Sequence, residues 1–284
     1  MACYYPLRLE SSRYAKLVVA CGQCVGCRLE RSAQWATRIL HEAQCHEQNC
    51  FITLTYNVQC LPADGSLVYE HFQLFMRSLR KRTRLKVRFF MCGEYGDEKG
   101  RPHFHACVFG YDFPDKVYYR KSPSGHTLFR SAFLDAVWGR GLCSIGALNF
   151  ESAAYVARYV MKKRTGDGED CYYQIVDPET GELNPRRKEF CHMSLKPGIG
   201  RLWYDKYAGD IRDGAVVVNG VERSAPKYYM RRLKLDKPEK YAAVVEKRFE
   251  RSLQTQAVID RQPARLAVRE RVTNARIRSL KRVL

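Results

Sequence analysis

Two histidines one residue apart, in the run Pro102-His103-Phe104-His105-Ala106-Cys107-Val108-Phe109, have types and spacing suited to holding a metal ion. The run reads as a β-strand, and alternate side chains of a strand share a face, so both imidazoles point one way and Phe104 points the other to pack. Two neutral imidazoles make part of a divalent-cation site; a third ligand, often a carboxylate, completes it. Glu94, which ends the preceding strand of the same hairpin, is the candidate, with Asp97 and Glu98 in the connecting loop as secondary choices. The plain alternative is a pair of half-exposed strand histidines that bind no metal.

A second pattern follows downstream. Tyr155 and Tyr159 stand four residues apart in Tyr155-Val156-Ala157-Arg158-Tyr159-Val160-Met161-Lys162-Lys163, so on a helix they share one face. A phenol, with a pKa of about 10, becomes a nucleophile only with help. Lys162 or Lys163, three and four residues beyond Tyr159, can favour the phenolate, and a metal that polarises a phosphate lowers the remaining barrier. Taken alone, such a pair equally faces a core or a groove wall.

The third pattern is Cys21-Gly22-Gln23-Cys24-Val25-Gly26-Cys27, three thiols at three-residue intervals, with Cys3 available as a fourth. Thiolates in such knuckles bind zinc tetrahedrally, and the glycines let the backbone bend toward the ion. Without zinc the same residues are small reduced groups capping a helix. Cys107 and Cys143, inside apolar runs, read as packing residues.

The setting for these residues is strongly basic. Lys and Arg number 49 against 30 Asp and Glu, a net charge of +19, which favours a polyanionic partner. Residues 221–284 hold 18 Lys and Arg against 7 Asp and Glu, so the tail carries more than half of that excess, as a DNA-binding arm or a solvated helix pair. No apolar run of membrane-spanning length and no signal peptide stand out, so a cytosolic protein with no membrane partner is expected. No Walker-type phosphate loop is visible, so neither a helicase domain nor a nucleotide cofactor is expected.

Periodicity supplies the elements that must position the three patterns. A helix is expected from about Cys24 to His46, a strand at 51–56, a helix near 70–83 and strands at 86–93 and 102–109. A helix near 129–138, a strand near 142–149 and a helix at 151–164 complete the series. The order β-α-β-β-α-β-α is that of an α+β domain, an antiparallel sheet with helices packed on one face. Four segments are expected: a Cys-rich segment and helix at 1–50, the core at 51–164, an irregular extension at 165–235 with a strand pair at Asn219-Gly220, and a helical tail at 236–284. In that tail one helix runs from Pro238 to about Ile259 and a second follows Pro263.

The His-Phe-His strand followed by the Tyr-x-x-x-Tyr helix resembles the HUH endonucleases, named for histidine, hydrophobic residue, histidine. Cys92-Gly93-Glu94-Tyr95-Gly96, Arg101 to His105 and Lys196-Pro197-Gly198-Ile199-Gly200 look most like the replication initiators of the gokushovirus branch of the microviruses, small single-stranded DNA phages. The resemblance spans roughly residues 1 to 230 and leaves the basic tail outside. It implies an RRM/ferredoxin-like split β-α-β core and a site-specific, metal-dependent endonuclease that starts rolling-circle replication. His103, His105 and Glu94 match the ligands of Mg²⁺ or Mn²⁺, Tyr155 and Tyr159 the nucleophiles, and Lys162 the lysine beside them.

By the same resemblance, one tyrosine cleaves single-stranded origin DNA, giving a 5′-phosphotyrosine and a 3′-hydroxyl that host polymerase and helicase use in the bacterial cytoplasm. The second tyrosine then cleaves the regenerated origin, and the displaced strand is rejoined. A protein that merely binds or packages single-stranded DNA accounts for the charge and the aromatics, but not for a histidine pair ahead of paired tyrosines. A plasmid relaxase or a transposase would use the same chemistry on another DNA element.

Overall fold

The computed structural model describes residues 3–11, 14–96, 100–162, 173–176 and 181–279, with the side chains of 10, 11, 14–17, 158–162, 175 and 176 outside that description. In chain order the elements are β1 (Leu7–Ser11), β2 (Tyr14–Val19), α1 (Val25–Ala43), β3 (Asn49–Thr55), α2 (Tyr69–Thr83), β4 (Arg88–Tyr95) and β5 (Pro102–Phe109). Then come β6 (Val117–Lys121), β7 (Thr127–Arg130), α3 (Ala132–Trp138), β8 (Cys143–Gly146), α4 (Phe150–Lys162), β9 (Gln174–Val176), β10 (Leu183–Pro185) and β11 (Phe190–Met193). The chain continues with α5 (Arg201–Tyr207), β12 (Ala215–Val218), β13 (Val221–Ser224), α6 (Lys227–Asp236), α7 (Pro238–Leu253), α8 (Thr255–Ile259) and α9 (Pro263–Ser279). Two compact units result. One runs from Arg38 to Trp203; the other joins the chain before Arg38 to the chain from Tyr204 onward.

The Arg38–Trp203 unit is built on an antiparallel sheet of seven strands in the order β11-β4-β5-β3-β8-β7-β6. Ile52 and Leu54 of β3, Met91 of β4, and Phe104, Ala106 and Val108 of β5 point to one face, where they meet Phe72, Phe75, Met76 and Leu79 of α2 and Leu134, Val137 and Trp138 of α3. The α2 residues recur at three- and four-residue steps, which forms a single apolar stripe. Helix α2 stops at Arg84, which adopts a left-handed conformation (φ 58°) and returns its N–H to the Arg80 carbonyl. The Trp138 indole donates to the Thr55 carbonyl at 3.1 Å, fixing α3 to the end of β3. Gly141 lies against the same turn: a Cβ there would fall 2.3 Å from the Thr55 oxygen, and its φ of 150° suits glycine alone.

The α+β class and the antiparallel sheet agree with the sequence, and the seven elements expected between 51 and 164 occur in their expected order. The placement of helices on a single face needs correction. Helices α2 and α3 share one face, whereas α4 lies on the other, its Tyr155 ring against Phe51 and His105. The cause is visible in β4 and β5, where Phe90, Cys92, Cys107 and Phe109, all pointing away from α2, are also completely buried. Strands that are apolar on both faces need cover on both. The end of α1 adds to this second layer: Glu42 accepts a hydrogen bond from the Arg88 Nε at 2.6 Å, and His46 stacks near Phe109.

Smaller differences also have physical causes. Residues 127–130 form β7 rather than the start of a helix, because Ser131 caps α3 by accepting from the Leu134 N–H at 2.9 Å. β7 pairs with β6 across the Pro123–Gly125 region, where the sequence suggests only a loop. β11 adds an edge strand to β4 from within the segment expected to be irregular.

The second unit contains the β1–β2 hairpin, the start of α1, and α6 to α9. The strand pair expected at Asn219-Gly220 is present, with both turn residues at positive φ (50° and 74°), as a tight hairpin requires. The helix expected from Pro238 to Ile259 is interrupted at Gln254, whose extended backbone (ψ 140°) separates α7 from α8. Among the described residues, no helix is long and apolar enough to cross a membrane.

Candidate metal and tyrosine site

Strand register sets this site. In the β4–β5 ladder Glu94 lies opposite His103 and Cys92 opposite His105; in the β3–β5 ladder Thr53 lies opposite His105. Glu94, His103, His105 and Thr53 therefore rise from one face of three adjacent strands. One carboxylate oxygen, Glu94 Oε1, is the meeting point: it is 2.7 Å from His103 Nε2, 2.9 Å from His105 Nε2 and 3.1 Å from the Tyr155 hydroxyl that donates to it. One ligand atom from each of Glu94, His103 and His105 lies within 4.8 Å of the others.

The far side of each imidazole is also held. His103 Nδ1 lies 3.0 Å from the Arg101 carbonyl, and His105 Nδ1 lies 2.9 Å from Thr53 Oγ1. A carbonyl only accepts, so His103 Nδ1 carries a hydrogen. Its Nε2, facing a carboxylate oxygen at 2.7 Å, then has two consistent states: a protonated imidazolium, or a lone pair aimed at a cation that the carboxylate shares. The second state is the usual arrangement of a metal-ligating histidine, with one ring nitrogen on the metal and the other donating to an oxygen. Two imidazoles and one carboxylate from a rigid sheet thus fit a divalent cation.

Electrostatics agree with a charged carboxylate. Burial would push the Glu94 carboxyl up, but hydrogen bonds from His103 and His105, together with their charges, outweigh it and hold the group at about 2. The Glu94 side chain is 3% exposed and that of His103 16%, so the cluster is reached from the His103 side. His105 stacks on Phe51 at 5.5 Å between ring centroids and meets the Tyr155 ring edge-on at 5.1 Å, which fixes the inner wall.

Of the residues singled out in the sequence, Glu94, His103, His105 and Tyr155 come together. Tyr159 and Lys162 lie on the backbone of α4, but their side chains are outside the described residues, as are Asp97, Glu98 and Lys163. Cys3, Cys21, Cys24 and Cys27 form a separate cluster in the other unit, their sulfurs within 4.8 Å of one another. Cys107 and Cys143 are buried, as packing residues should be. Thr53 and the Arg101 carbonyl are the functional groups the sequence did not disclose. Thr53 shows its part only once the β3–β5 register is known, because nothing in its own neighbourhood refers to His105.

Residues 49–164 match the family of the replication-associated protein ORF2, a span that opens on the first residue of β3 and closes just past α4. The chain is 31% identical over 248 residues to the replication-associated protein VP4 of Bdellovibrio phage phiMH2K, covering 84% of this chain and 74% of that protein. It is 31% identical over 229 residues to the replication-associated protein ORF2 of Spiroplasma virus 4 (76% and 67% covered) and 28% identical over 218 residues to the replication-associated protein ORF4 of Chlamydia phage 1 (74% and 52% covered). No solved structure matches the chain significantly.

Proposed function

Because this chain belongs to the replication-associated proteins of phages, initiators of the microvirus type with a role in starting replication, we propose that it does so by nicking and rejoining single-stranded origin DNA through a tyrosine. The observation that carries this reading is the shared oxygen: the Tyr155 hydroxyl and the Nε2 atoms of both histidines all face Glu94 Oε1. A phenol held at the ligand set of a cation is placed to attack whatever phosphate that cation engages.

Glu94, His103 and His105 would hold Mg²⁺ or Mn²⁺, which when bound supplies positive charge to polarise the scissile phosphate. The protein's own groups do the rest. Thr53 and the Arg101 carbonyl fix the two imidazoles, and the α4 backbone delivers Tyr155 to the same face. The Tyr155 oxygen bonds to phosphorus as the P–O3′ bond breaks, leaving a 5′-phosphotyrosine and a 3′-hydroxyl. Tyr159, one turn later, acts as the second tyrosine that cleaves the regenerated origin, and Lys162 accompanies it. Attack of a 3′-hydroxyl on the first phosphotyrosine rejoins the displaced strand. Each step exchanges one phosphodiester for another, so no nucleotide cofactor is needed. Host polymerase and helicase extend the free end in the bacterial cytoplasm.

The test is a covalent adduct. Labelled single-stranded origin DNA incubated with the protein and Mn²⁺ should give a protein–DNA band that survives SDS. The Tyr155→Phe, Tyr159→Phe double variant should lose it by on the order of 10³-fold or more, as expected for removal of a nucleophile. Wild-type adduct from that variant would end the tyrosine assignment.

A further inference from the structure

Outside the tyrosine site, the strongest cluster is that of Cys3, Cys21, Cys24 and Cys27, and we propose that it binds a structural zinc ion that fastens the start of the chain to α1 and α9. All four sulfurs lie within 4.8 Å of one another, and Cys24 Sγ is 4.0 Å from Cys3 Sγ. A tetrahedral zinc thiolate with bonds of about 2.3 Å sets its sulfurs about 3.8 Å apart, so a single ion fits among them. An iron–sulfur cluster would hold the sulfurs farther apart.

The surrounding backbone is arranged to support thiolates. The Cys21 N–H points at Cys3 Sγ (3.2 Å), the Cys24 N–H at Cys21 Sγ (3.4 Å), the Cys27 N–H at Cys24 Sγ (3.5 Å) and the Tyr4 N–H at Cys24 Sγ (3.4 Å). Amide donors aimed at sulfur favour the charged form, the form that binds metal. Gly22, at φ 79°, makes the bend between Cys21 and Cys24 that a side chain would strain. Cys27 lies in the first turn of α1, so the ligand set ends on a rigid element.

The consequence for α9 follows from the neighbours of Cys3. The Tyr4 hydroxyl is 2.7 Å from Thr273 Oγ1, and the Tyr5 hydroxyl donates to Glu270 Oε2 at 2.5 Å. Helix α9 is 17 residues long, yet Leu266 is the one residue it buries. Such a helix has little apolar contact to hold it. Fixing Cys3 on an ion fixes Tyr4 and Tyr5, and these reach α9 across 269 and 265 residues of sequence.

The full-length protein, purified reduced and without chelator, should carry one zinc per chain by elemental analysis. The same content should persist in the His103→Ala, His105→Ala variant and vanish in Cys24→Ser. Cobalt substituted for zinc should give the intense visible bands of a tetrahedral thiolate site. Limited trypsin digestion should cut the arginine-rich α9 at least several-fold faster after zinc is stripped with a chelator. Zinc-free wild-type protein, bound iron in its place, a mass showing disulfides among these cysteines, or zinc lost from the histidine variant would each overturn the site. The cobalt spectrum and zinc content of the wild type decide the matter even if Cys24→Ser does not fold. An unchanged digestion rate after zinc removal would overturn the link to α9.

Discussion

The two ligand clusters of this protein are built in opposite ways. Glu94, His103 and His105 stand on strands of a large sheet, with Thr53 and a backbone carbonyl behind the imidazoles and an aromatic core beneath. The four cysteines come from a loop and the first turn of a helix, and their partners are one another and the adjacent amides. The sheet can hold its ligands in place before any cation arrives, with one side reached from outside. The thiol cluster closes around its centre, so its ion belongs to the fold. Preorganisation by a core suits a reacting centre, and closure by four ligands suits a fastening.

The largest separation between the two should come from removing the sheet's ligands. In the His103→Ala, His105→Ala variant, cleavage of single-stranded origin DNA should fall by about 10³-fold, since a catalytic cation supplies several kcal/mol. The thermal unfolding midpoint should stay within a few degrees of wild type, because the sheet is held by its core and not by the imidazoles. Calorimetry beside a nicking assay checks both halves. A large drop in unfolding temperature would mean that the histidine cluster also serves the fold, and the contrast would fail.

Next in size is a change beneath the site. Phe104 lies between the histidines on the opposite face, fully buried among Tyr56, Phe72, Trp138 and Phe190. Phe104→Ala should cost about 3–5 kcal/mol of stability by leaving a cavity. Chemical denaturation measures it. A loss below about 1 kcal/mol would show that the core does not support the histidine strand in the way claimed.

This part of the molecule was largely legible in the sequence. The alternation that puts His103 and His105 on one face and Phe104 on the other follows from strand geometry, and Glu94 could be chosen from its place in the hairpin. What could not be read was which face each helix covers: α4 has the same kind of apolar periodicity as α2, and periodicity does not say which side of a sheet a stripe will meet. β6 was hidden because all its residues are exposed, so Val117-Tyr118-Tyr119-Arg120-Lys121 shows no buried face. The cysteine spacing was plain, but the return of Cys3 to the other thiols depends on the β1–β2 hairpin, which the sequence shows only as the short run Leu17-Val18-Val19. Register was the least accessible property, and the role of Thr53 depends on it.

The smallest effect therefore tests the finest feature of the contrast, the orientation of a ligand by its support. When His105 Nε2 faces a cation, its Nδ1 bears the hydrogen and donates to Thr53 Oγ1, 2.9 Å away. Thr53→Val keeps the branched shape that suits the strand and removes the oxygen. Loss of such a support typically weakens metal affinity by about 10–100-fold. The Mn²⁺ concentration for half-maximal cleavage should rise by that factor, while saturating Mn²⁺ should restore most of the rate because the ligands and Tyr155 remain. The zinc content assigned to the thiols should not change, since Thr53 belongs to the other unit. An unaltered Mn²⁺ requirement would mean that the sheet alone orients His105, and that the difference between the two clusters lies in the scaffold rather than in the groups behind the ligands.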